Sequence, residues 1–193
     1  SNTDRIVIYD NSDVLSSCRG WYNFIYFGHD KHLVSVLDGG LKKWLIENRK
    51  TTSEKTILNN STYRATEDKN LVKSIHEINE NIEQKNFTII DARSKERFNG
   101  SVPDPRKNVR SGSIPNSVCL PFKEIINSSD NTFKGVSEIS KKFSEIIDLN
   151  DDKRVFSCGS GITACVLGLA YSLVNNTYSP TVYDGSWAEY GRI

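Results

Sequence analysis

The residue best suited to chemistry is Cys158, which ends an apolar segment and begins a loop rich in glycine. The sequence RVFSCGSGITACVLGLAYSLV, from 154 to 174, predicts a buried strand, a loop with two glycines, and an apolar helix. Glycine permits a tight backbone path, so the loop N–H groups can turn towards the sulfur. The helix, which we expect to begin near Ile162, adds the positive end of its dipole. The loop therefore favours a thiolate nucleophile that carries a persulfide without a neighbouring histidine.

The other residues of this loop are candidates for binding the substrate. The hydroxyl of Ser160 can hydrogen-bond to it, and we expect further contacts from Gly159, Gly161, Ile162 and Thr163. One alternative is that Cys158 is only a small buried packing residue, as free cysteines usually are. Another is a cysteine phosphatase, which uses a similar loop. A phosphatase needs an arginine after five intervening residues, where this chain has Ala164, so phosphatase activity is not expected.

The remaining cysteines and two histidines give weaker signals. Cys165 lies on the apolar face in the middle of a predicted helix, Cys119 lies in a strand and Cys18 in a helix, which indicates packing roles. The four cysteines form no CxxC pair, which favours a reducing compartment. His29 and His32 have the spacing of two metal ligands, but no second pair accompanies them, so we expect no metal site.

The composition argues against several classes of partner. The chain has 193 residues, with 25 basic and 24 acidic side chains and a net charge of +1. Because both signs are scattered, the chain has no sustained field for nucleic acid or an anionic bilayer. No apolar run approaches the roughly 20 residues of a spanning helix. We therefore expect a small, locally recognised substrate, and neither nucleic acid nor a membrane as a partner.

An internal repeat organises the elements around the loop. RIVIYDNS near the start and RVFSCGS near the end each predict a strand that runs into a loop, followed by a helix-length segment. A second strand with a glycine turn then follows, as VSVLDGG in one copy and PTVYDGS in the other. Asp10 aligns with Cys158 at an offset of 148, and Asp38 aligns with Asp184 at 146. These markers predict a duplicated unit.

The two copies differ in length. Residues 64–193, called the second unit, alternate strands with helices, which predicts an α/β domain with a mainly parallel sheet and helices on both faces. Residues 1–55, called the first unit, match only its last third and predict the C-terminal part of another such domain. A polar stretch rich in Ser, Thr and Asn connects them. Because the rest of that domain would lie upstream, we expect the first helix to expose an apolar face around Trp21 and Phe24.

Apolar periodicity predicts the main elements of the second unit. Helical spacing and strand-like runs are found, in chain order, at 71–82, 87–91, 118–122, 136–147 and 162–173. The first, fourth and fifth of these segments predict helices, and the other two predict strands.

Motifs along the chain resemble those of one family. CGSGITA resembles the active-site loop of 3-mercaptopyruvate sulfurtransferases, which have two tandem rhodanese domains, whereas thiosulfate sulfurtransferases usually carry basic residues directly after the cysteine. Further similar segments are SVLDGGLKKW, IIDARSKERFNG, PDPR, SIPNSVCLPF and YDGSWAEYG. The resemblance implies a rhodanese-like fold in which the second unit keeps the cysteine and Asp10 takes its place in the first.

The resemblance also implies roles and partners. Arg97 of ERFNG and Arg106 of PDPR would bind the carboxylate and carbonyl oxygens of 3-mercaptopyruvate. Ser160 would assist proton transfer together with a histidine and an aspartate from a segment upstream of residue 1. Cys158 would form a persulfide, release pyruvate and pass the sulfur to cyanide or to a thiol acceptor such as thioredoxin, with no cofactor.

Two other functions and two locations stay open at this point. The chain can be a thiosulfate sulfurtransferase, or a catalytically silent rhodanese-like module that presents protein or persulfide to a partner. We expect a cytoplasmic location, with the mitochondrion as the alternative, because any targeting peptide would precede residue 1.

Overall fold

The computed structural model describes residues 1–150 and 153–193, which form a small sheet and a large sheet surrounded by helices. The strands are β1 (Ile6–Ile8), β2 (Val34–Val36), β3 (Val72–Lys73), β4 (Thr88–Asp91), β5 (Val118–Cys119), β6 (Arg154–Ser157) and β7 (Val182–Tyr183). The α-helices are α1 (Ser17–Tyr26), α2 (Gly40–Ile46), α3 (Ile75–Gln84), α4 (Lys95–Phe98), α5 (Val136–Ser144), α6 (Ala164–Val174) and α7 (Ser186–Tyr190). None of the helices in these two ranges is long and apolar enough to cross a membrane.

The large sheet belongs to the second unit, and its strand pairs are parallel. The strands lie in the order β3-β7-β6-β4-β5. Successive residues of a strand face opposite sides of a sheet. Ile89 and Val155 accordingly pack with Trp187 of α7 in one buried cluster, while Ile90 and Phe156 belong to another that includes residues of α5 and α6. This confirms the predicted parallel sheet with helices on both faces.

Most predicted elements are present with shifted ends, among them strands β4 and β5 and helices α5 and α6. The helix predicted from Leu71 begins only at Ile75, because Ser74 caps it. The hydroxyl of Ser74 accepts the N–H of Glu77, and the Glu77 carboxylate accepts the N–H of Ser74. Leu71 instead packs into the core from a short 3-10 turn. Elements β3, α4 and α7 were not predicted, because β3 lies within the segment predicted as a helix from Leu71, and α4 and α7 are little longer than one helical turn.

The first unit pairs β1 with β2 in a separate parallel sheet. Ile8 is the partner of Val36 in this sheet, and Phe156 is the partner of Val182 in the large one. Phe156 follows Ile8 by 148 residues and Val182 follows Val36 by 146, which are the offsets of the predicted repeat. The common register supports a duplicated unit, and the boundaries of the two units stay a prediction.

The expectation of an exposed apolar face on α1 was wrong. Trp21 is only 6% exposed, and Phe24 packs against the same core, because α1 lies against β2 and against α6 of the second unit. The exposed apolar residues of the first unit lie elsewhere, and they include Val7 at 63% and Leu45 at 53%. Sequence periodicity identified the apolar face of α1, but it did not show that the second unit covers this face.

Candidate active site

Cys158 lies directly after β6, where the chain leaves the large sheet. The residue is 2% exposed, and its Sγ accepts a hydrogen bond from the N–H of Ser160 at 3.4 Å. Helix α6 begins at Ala164, slightly later than predicted, with Thr163 as its N-cap residue. The sulfur therefore receives a backbone donor from its own loop and lies in the segment that leads into the positive end of α6.

Helix α7 binds the loop through its own backbone. The N–H of Trp187 donates to the carbonyl of Cys158 at 3.0 Å, and the N–H of Ala188 donates to the carbonyl of Gly159 at 3.0 Å. In a trans peptide the C=O and the following N–H point in opposite directions. Because the Gly159 carbonyl points at α7, the N–H of Ser160 points away from α7 and reaches the sulfur.

Arg97 and Arg106 meet at the cysteine loop beside Gly159. A Cβ atom at Gly159 would lie 3.0 Å and 3.2 Å from the two terminal nitrogens of Arg106, and 3.3 Å from Nη2 of Arg97. Glycine therefore leaves the space that both guanidinium groups occupy. The structure brings together the two arginines and the loop that the sequence singled out, and their role in binding substrate stays a prediction.

Asp104 holds these arginines in position, and the sequence analysis missed it. Its carboxylate, 2% exposed, accepts hydrogen bonds from Nη2 of Arg97 at 2.7 Å and from Nη1 and the backbone N–H of Arg106 at 3.2 Å and 3.0 Å. Burial raises the pKa of the Asp104 carboxyl, but the hydrogen bonds and the charge of Arg97 outweigh burial and hold this pKa below its usual range. Asp104 is thus charged at neutral pH. Its position within PDPR was the available signal.

Arg97 also has an unpaired hydrogen-bond donor. Its Nε atom is buried and, within the described part of the chain, has no hydrogen-bond partner. Buried polar groups are nearly always paired in folded proteins. This unpaired donor belongs to the same guanidinium group whose Nη2 borders the cysteine loop.

Ser186 is a second residue that the sequence analysis missed. Its hydroxyl accepts the N–H groups of Cys158 and Gly161, each at 3.1 Å, and donates to the carbonyl of Tyr183 at 2.8 Å. The side chain therefore connects both ends of the short cysteine loop to the end of β7. The segment YDGSWAEYG contains it, but nothing in that segment singled out the serine.

The first unit contacts the same loop through Arg19 of α1. Its Nη1 donates to the carbonyl of Gly161 at 3.3 Å and forms an ion pair with Asp184. Gly161 has a φ of +76°, and a Cβ there would lie 2.5 Å from a carboxylate oxygen of Asp184. Only glycine fits this position without strain. The alignment of the two repeat units did not point to Arg19, because the residues that Arg19 contacts, Gly161 and Asp184, belong to the second unit.

The other three cysteines are poor nucleophiles. Burial raises the pKa of the Cys18 thiol to about 12 and that of the Cys119 thiol to about 12, and burial also raises the pKa of the Cys165 thiol. Cys165 lies in the first turn of α6 and not in mid-helix as predicted, since α6 begins at Ala164. All three stay protonated near neutral pH, which agrees with packing roles.

The remaining predicted site residues differ in exposure. Ser160 and Ile162 are exposed, and Thr163 is half-buried. His29 is buried and stacks on Tyr63, and its Nε2 lies 3.0 Å from the carbonyl oxygen of Asp4. Within residues 1–150 and 153–193, no three His, Cys, Asp or Glu side chains are grouped so that they could hold a metal ion.

The profile of the rhodanese-like domain matches residues 74–192, which include Cys158, both arginines and α7. The chain belongs to the rhodanese family. The resemblance predicted from the motifs is thereby confirmed, and the match lies inside the predicted second unit. In this rhodanese domain the cysteine loop follows the central strand of the sheet, β6.

The chain is similar to individual sulfurtransferases over nearly its whole length. The chain is 36% identical over 211 residues to thiosulfate/3-mercaptopyruvate sulfurtransferase 1, mitochondrial, of Arabidopsis thaliana, which covers 98% of this chain and 54% of the relative. It is 39% identical over 193 residues to the 3-mercaptopyruvate sulfurtransferase of Mus musculus, with 98% and 63% covered. SseA from Escherichia coli, a solved 3-mercaptopyruvate sulfotransferase, matches with a TM-score of 0.78 and 27% identity over 96% of this chain and 69% of its own. The chain thus spans between half and two thirds of the curated relatives.

Proposed function

We propose that this rhodanese domain is a sulfurtransferase that takes sulfur from 3-mercaptopyruvate. The observation that carries the proposal is the convergence of Arg97 and Arg106, held by the charged Asp104, on the loop of the buried Cys158. Guanidinium groups match the carboxylate and carbonyl oxygens of a 2-oxo acid. The names of the relatives from Arabidopsis and mouse point to the same substrate class.

The reaction has two steps that return the cysteine to its starting state. The Cys158 thiolate attacks the thiol sulfur of 3-mercaptopyruvate, and the carbon–sulfur bond breaks with its electron pair moving to carbon. The resulting enolate of pyruvate takes a proton, and Cys158 keeps the outer sulfur as a persulfide. An acceptor thiolate or cyanide then attacks the outer sulfur, and the electron pair of the sulfur–sulfur bond returns to Cys158.

The loop supplies the polar groups that these steps need. The N–H of Ser160 stabilises negative charge on the sulfur, and the exposed Ser160 hydroxyl is available to the proton transfer. We assign the remaining substrate contacts to the loop residues Gly159, Gly161, Ile162 and Thr163. No cofactor takes part in this scheme.

Mass spectrometry of the protein after treatment with 3-mercaptopyruvate tests the proposal. We expect a gain of one sulfur atom on the peptide that contains Cys158, together with release of pyruvate. The same treatment of Cys158→Ser should add nothing, and Cys165→Ser should behave as wild type. An unchanged Cys158 in the wild-type protein would favour the catalytically silent module.

A thiosulfate sulfurtransferase is the second candidate, favoured by the double name of the Arabidopsis relative. We expect 3-mercaptopyruvate to be preferred, because the loop has Gly159 and Ser160 where a thiosulfate dianion would gain from basic side chains. The ratio of kcat/KM for the two substrates tests this. Ser160→Arg should shift the ratio towards thiosulfate; a wild-type preference for thiosulfate would select the second candidate.

We also propose that a segment upstream of residue 1 completes the first unit. A cavity of about 410 Å³ there is lined by apolar residues that include Val7, Leu37, Leu41 and Trp44. Their equivalents at the repeat offsets pack together in the second unit and are Val155, Tyr183, Trp187 and Tyr190. An upstream segment with the elements of the second unit would cover this surface in the same way and would supply the histidine and aspartate for proton transfer.

Adding that segment as a separate polypeptide tests its role. We expect the 193-residue chain alone to release pyruvate on the order of a hundredfold more slowly than the chain mixed with the upstream segment. The reason is that the groups that position the substrate and transfer the proton are missing from the chain alone. Trp44→Asp should weaken the recovery, whereas Leu173→Asp, at an exposed apolar residue of α6, should not. Full activity of the chain alone would contradict the proposal.

The acceptor and the compartment complete the proposal. We expect a thiol such as that of thioredoxin to take the outer sulfur, and a cytoplasmic or mitochondrial location. Turnover with thioredoxin, glutathione and cyanide, measured at equal concentration, identifies the acceptor. Fluorescence of the tagged full-length protein in cells distinguishes the compartments.

A further inference from the structure

Ser186 has a backbone conformation that side chains rarely adopt. Its φ is +50° although it is not glycine, and the residue is completely buried. Such a conformation is strained and persists only where the surroundings hold it in place. The contacts of its hydroxyl therefore need an explanation.

Three hydrogen bonds use the full capacity of this hydroxyl. The oxygen accepts from the backbone N–H of Cys158 and of Gly161, and its proton goes to the carbonyl of Tyr183. A serine hydroxyl has one proton and two lone pairs. Ser186 consequently has no proton left for the sulfur, so it is not an acid or base of the reaction. Its effect on the sulfur must pass through the backbone of the loop.

The first unit contains the same backbone arrangement without the hydroxyl. Gly40, which precedes Ser186 by 146 residues, has a φ of +53°. The next residue, Leu41, donates its N–H to the carbonyl of Asp10 at 2.9 Å, just as Trp187 donates to the carbonyl of Cys158. Glycine thus suffices to build this turn. Serine, despite its strain, occupies the position in the unit that has the cysteine.

We infer that Ser186 is a positioning residue of the sulfur-transfer site, whose hydroxyl holds the cysteine loop so that the N–H of Ser160 stays directed at the sulfur. The hydroxyl fixes both ends of the segment from Cys158 to Gly161, and α7 fixes the carbonyls of Cys158 and Gly159. The inference rests on the proposed function and deepens it, because it names the residue that keeps a hydrogen-bond donor directed at the nucleophilic sulfur.

The variants Ser186→Ala and Ser186→Gly test the inference in the full chain. Both remove the hydroxyl, and Ser186→Gly introduces the residue that the first unit has, which relieves the backbone strain. We expect both to alkylate more slowly at Cys158 with iodoacetamide, by about tenfold at pH 7, with the midpoint of the pH–rate profile raised by about one unit. With 3-mercaptopyruvate, kcat should fall by at least about tenfold while KM changes little.

The matched control is Ser172→Ala. The Ser172 hydroxyl also binds backbone carbonyls, those of Gly168 and Leu169, but it lies further along α6 than the cysteine loop. Its removal should leave the alkylation profile unchanged. Thermal melting of each variant identifies a loss of folding, and Ser186→Gly, free of strain, is expected to fold even where Ser186→Ala does not.

The outcomes separate this inference from the proposed function. A folded Ser186→Gly protein with the wild-type alkylation profile would overturn the inference, even if its melting temperature were lower. A wild-type protein that alkylates at Cys158 but gains no sulfur from 3-mercaptopyruvate would overturn the proposed function alone. Raised midpoints in both variants, with an unchanged Ser172→Ala, would support the role of Ser186.

Discussion

The loops that follow β1 and β6 occupy equivalent positions in the two units but differ in chemistry. In the first unit, the Asp10 carboxylate accepts the N–H of Ser17 and the hydroxyl of Ser16, both at 2.7 Å, at the start of α1. In the second unit, the Cys158 sulfur accepts the N–H of Ser160 at 3.4 Å. The first loop holds a carboxylate group in two short hydrogen bonds, and the second holds a sulfur atom in a long one.

The same backbone arrangement, a loop that leads from a strand to the start of a helix, thus holds two different side chains. The Asp10 carboxylate satisfies the first N–H of α1, that of Ser17, and lies at the positive end of the helix dipole. A sulfur atom is a weaker hydrogen-bond acceptor, so the bond from the N–H of Ser160 leaves the Cys158 sulfur available for the reaction proposed above. The second loop also has Arg97 and Arg106 beside it. The two loops therefore differ in the side chain at one position, an aspartate bonded to the start of a helix in the first and the proposed nucleophile in the second.

The largest expected effect comes from replacing the sulfur in the second loop. Cys158→Ser should lower pyruvate release by at least about a thousandfold, because a hydroxyl does not form a stable persulfide equivalent. Cys165→Ser is the matched control, and its rate of pyruvate release should stay within about threefold of wild type. The Cys165 thiol is buried and protonated in the first turn of α6 and takes no part in the covalent reaction. Equal residual turnover in the two variants would show that the nucleophile is assigned wrongly.

The second effect concerns the cations beside the second loop. Gly159→Ala should lower kcat/KM by about ten- to a hundredfold for both sulfur donors, because the new methyl group displaces the guanidinium groups of Arg97 and Arg106. Gly135→Ala is the control, since its Cβ would meet no atom within 4 Å. Steady-state kinetics with both donors measures the change. Wild-type values for Gly159→Ala would remove the arginines from the proposed site.

The third effect tests the closed cap of the first loop. Asp10→Ala should reduce the free energy of unfolding by about 1 kcal/mol, because α1 loses its capping carboxylate. Asp13→Ala, at an exposed residue of the same loop, should change it by less than about 0.5 kcal/mol. Urea unfolding measures both. Asp10→Cys should gain no sulfur from 3-mercaptopyruvate; a persulfide there would show that the loop alone is enough for the reaction.

The smallest effect concerns Arg19, which connects the first unit to the cysteine loop of the second unit. Arg19→Gln should lower kcat by about threefold, because it removes a part-exposed ion pair with Asp184 and the hydrogen bond to the carbonyl of Gly161. Arg5→Gln, an exposed charge change in the first unit, should have no effect. High salt should reduce the difference between wild type and Arg19→Gln, since surface ion pairs are screened. A salt-independent loss would point to a packing role for Arg19.

The sequence predicted the fold well where apolar residues form a continuous run or a helical spacing. Strands β4 and β5 and helices α5 and α6 follow from the spacing of their apolar residues, and so does the parallel arrangement of the sheet. It failed at β3, which lies in a segment with helical spacing and pairs with β7, and where another unit covers a surface, as with Trp21. In both cases the missing information lies in contacts between distant segments.

By itself the sequence singled out Cys158 as the candidate nucleophile and predicted the offsets of the repeat and most of the strands and helices, because these depend on residue types and local periodicity. Only the tertiary structure decided how the loop is held. Ser186 reaches Cys158 across 28 positions, and Arg19 reaches Gly161 across 142. Such contacts arise when packing brings chain segments together and leaves each buried donor and acceptor to find a partner. No local pattern of residues specifies which partner it will find.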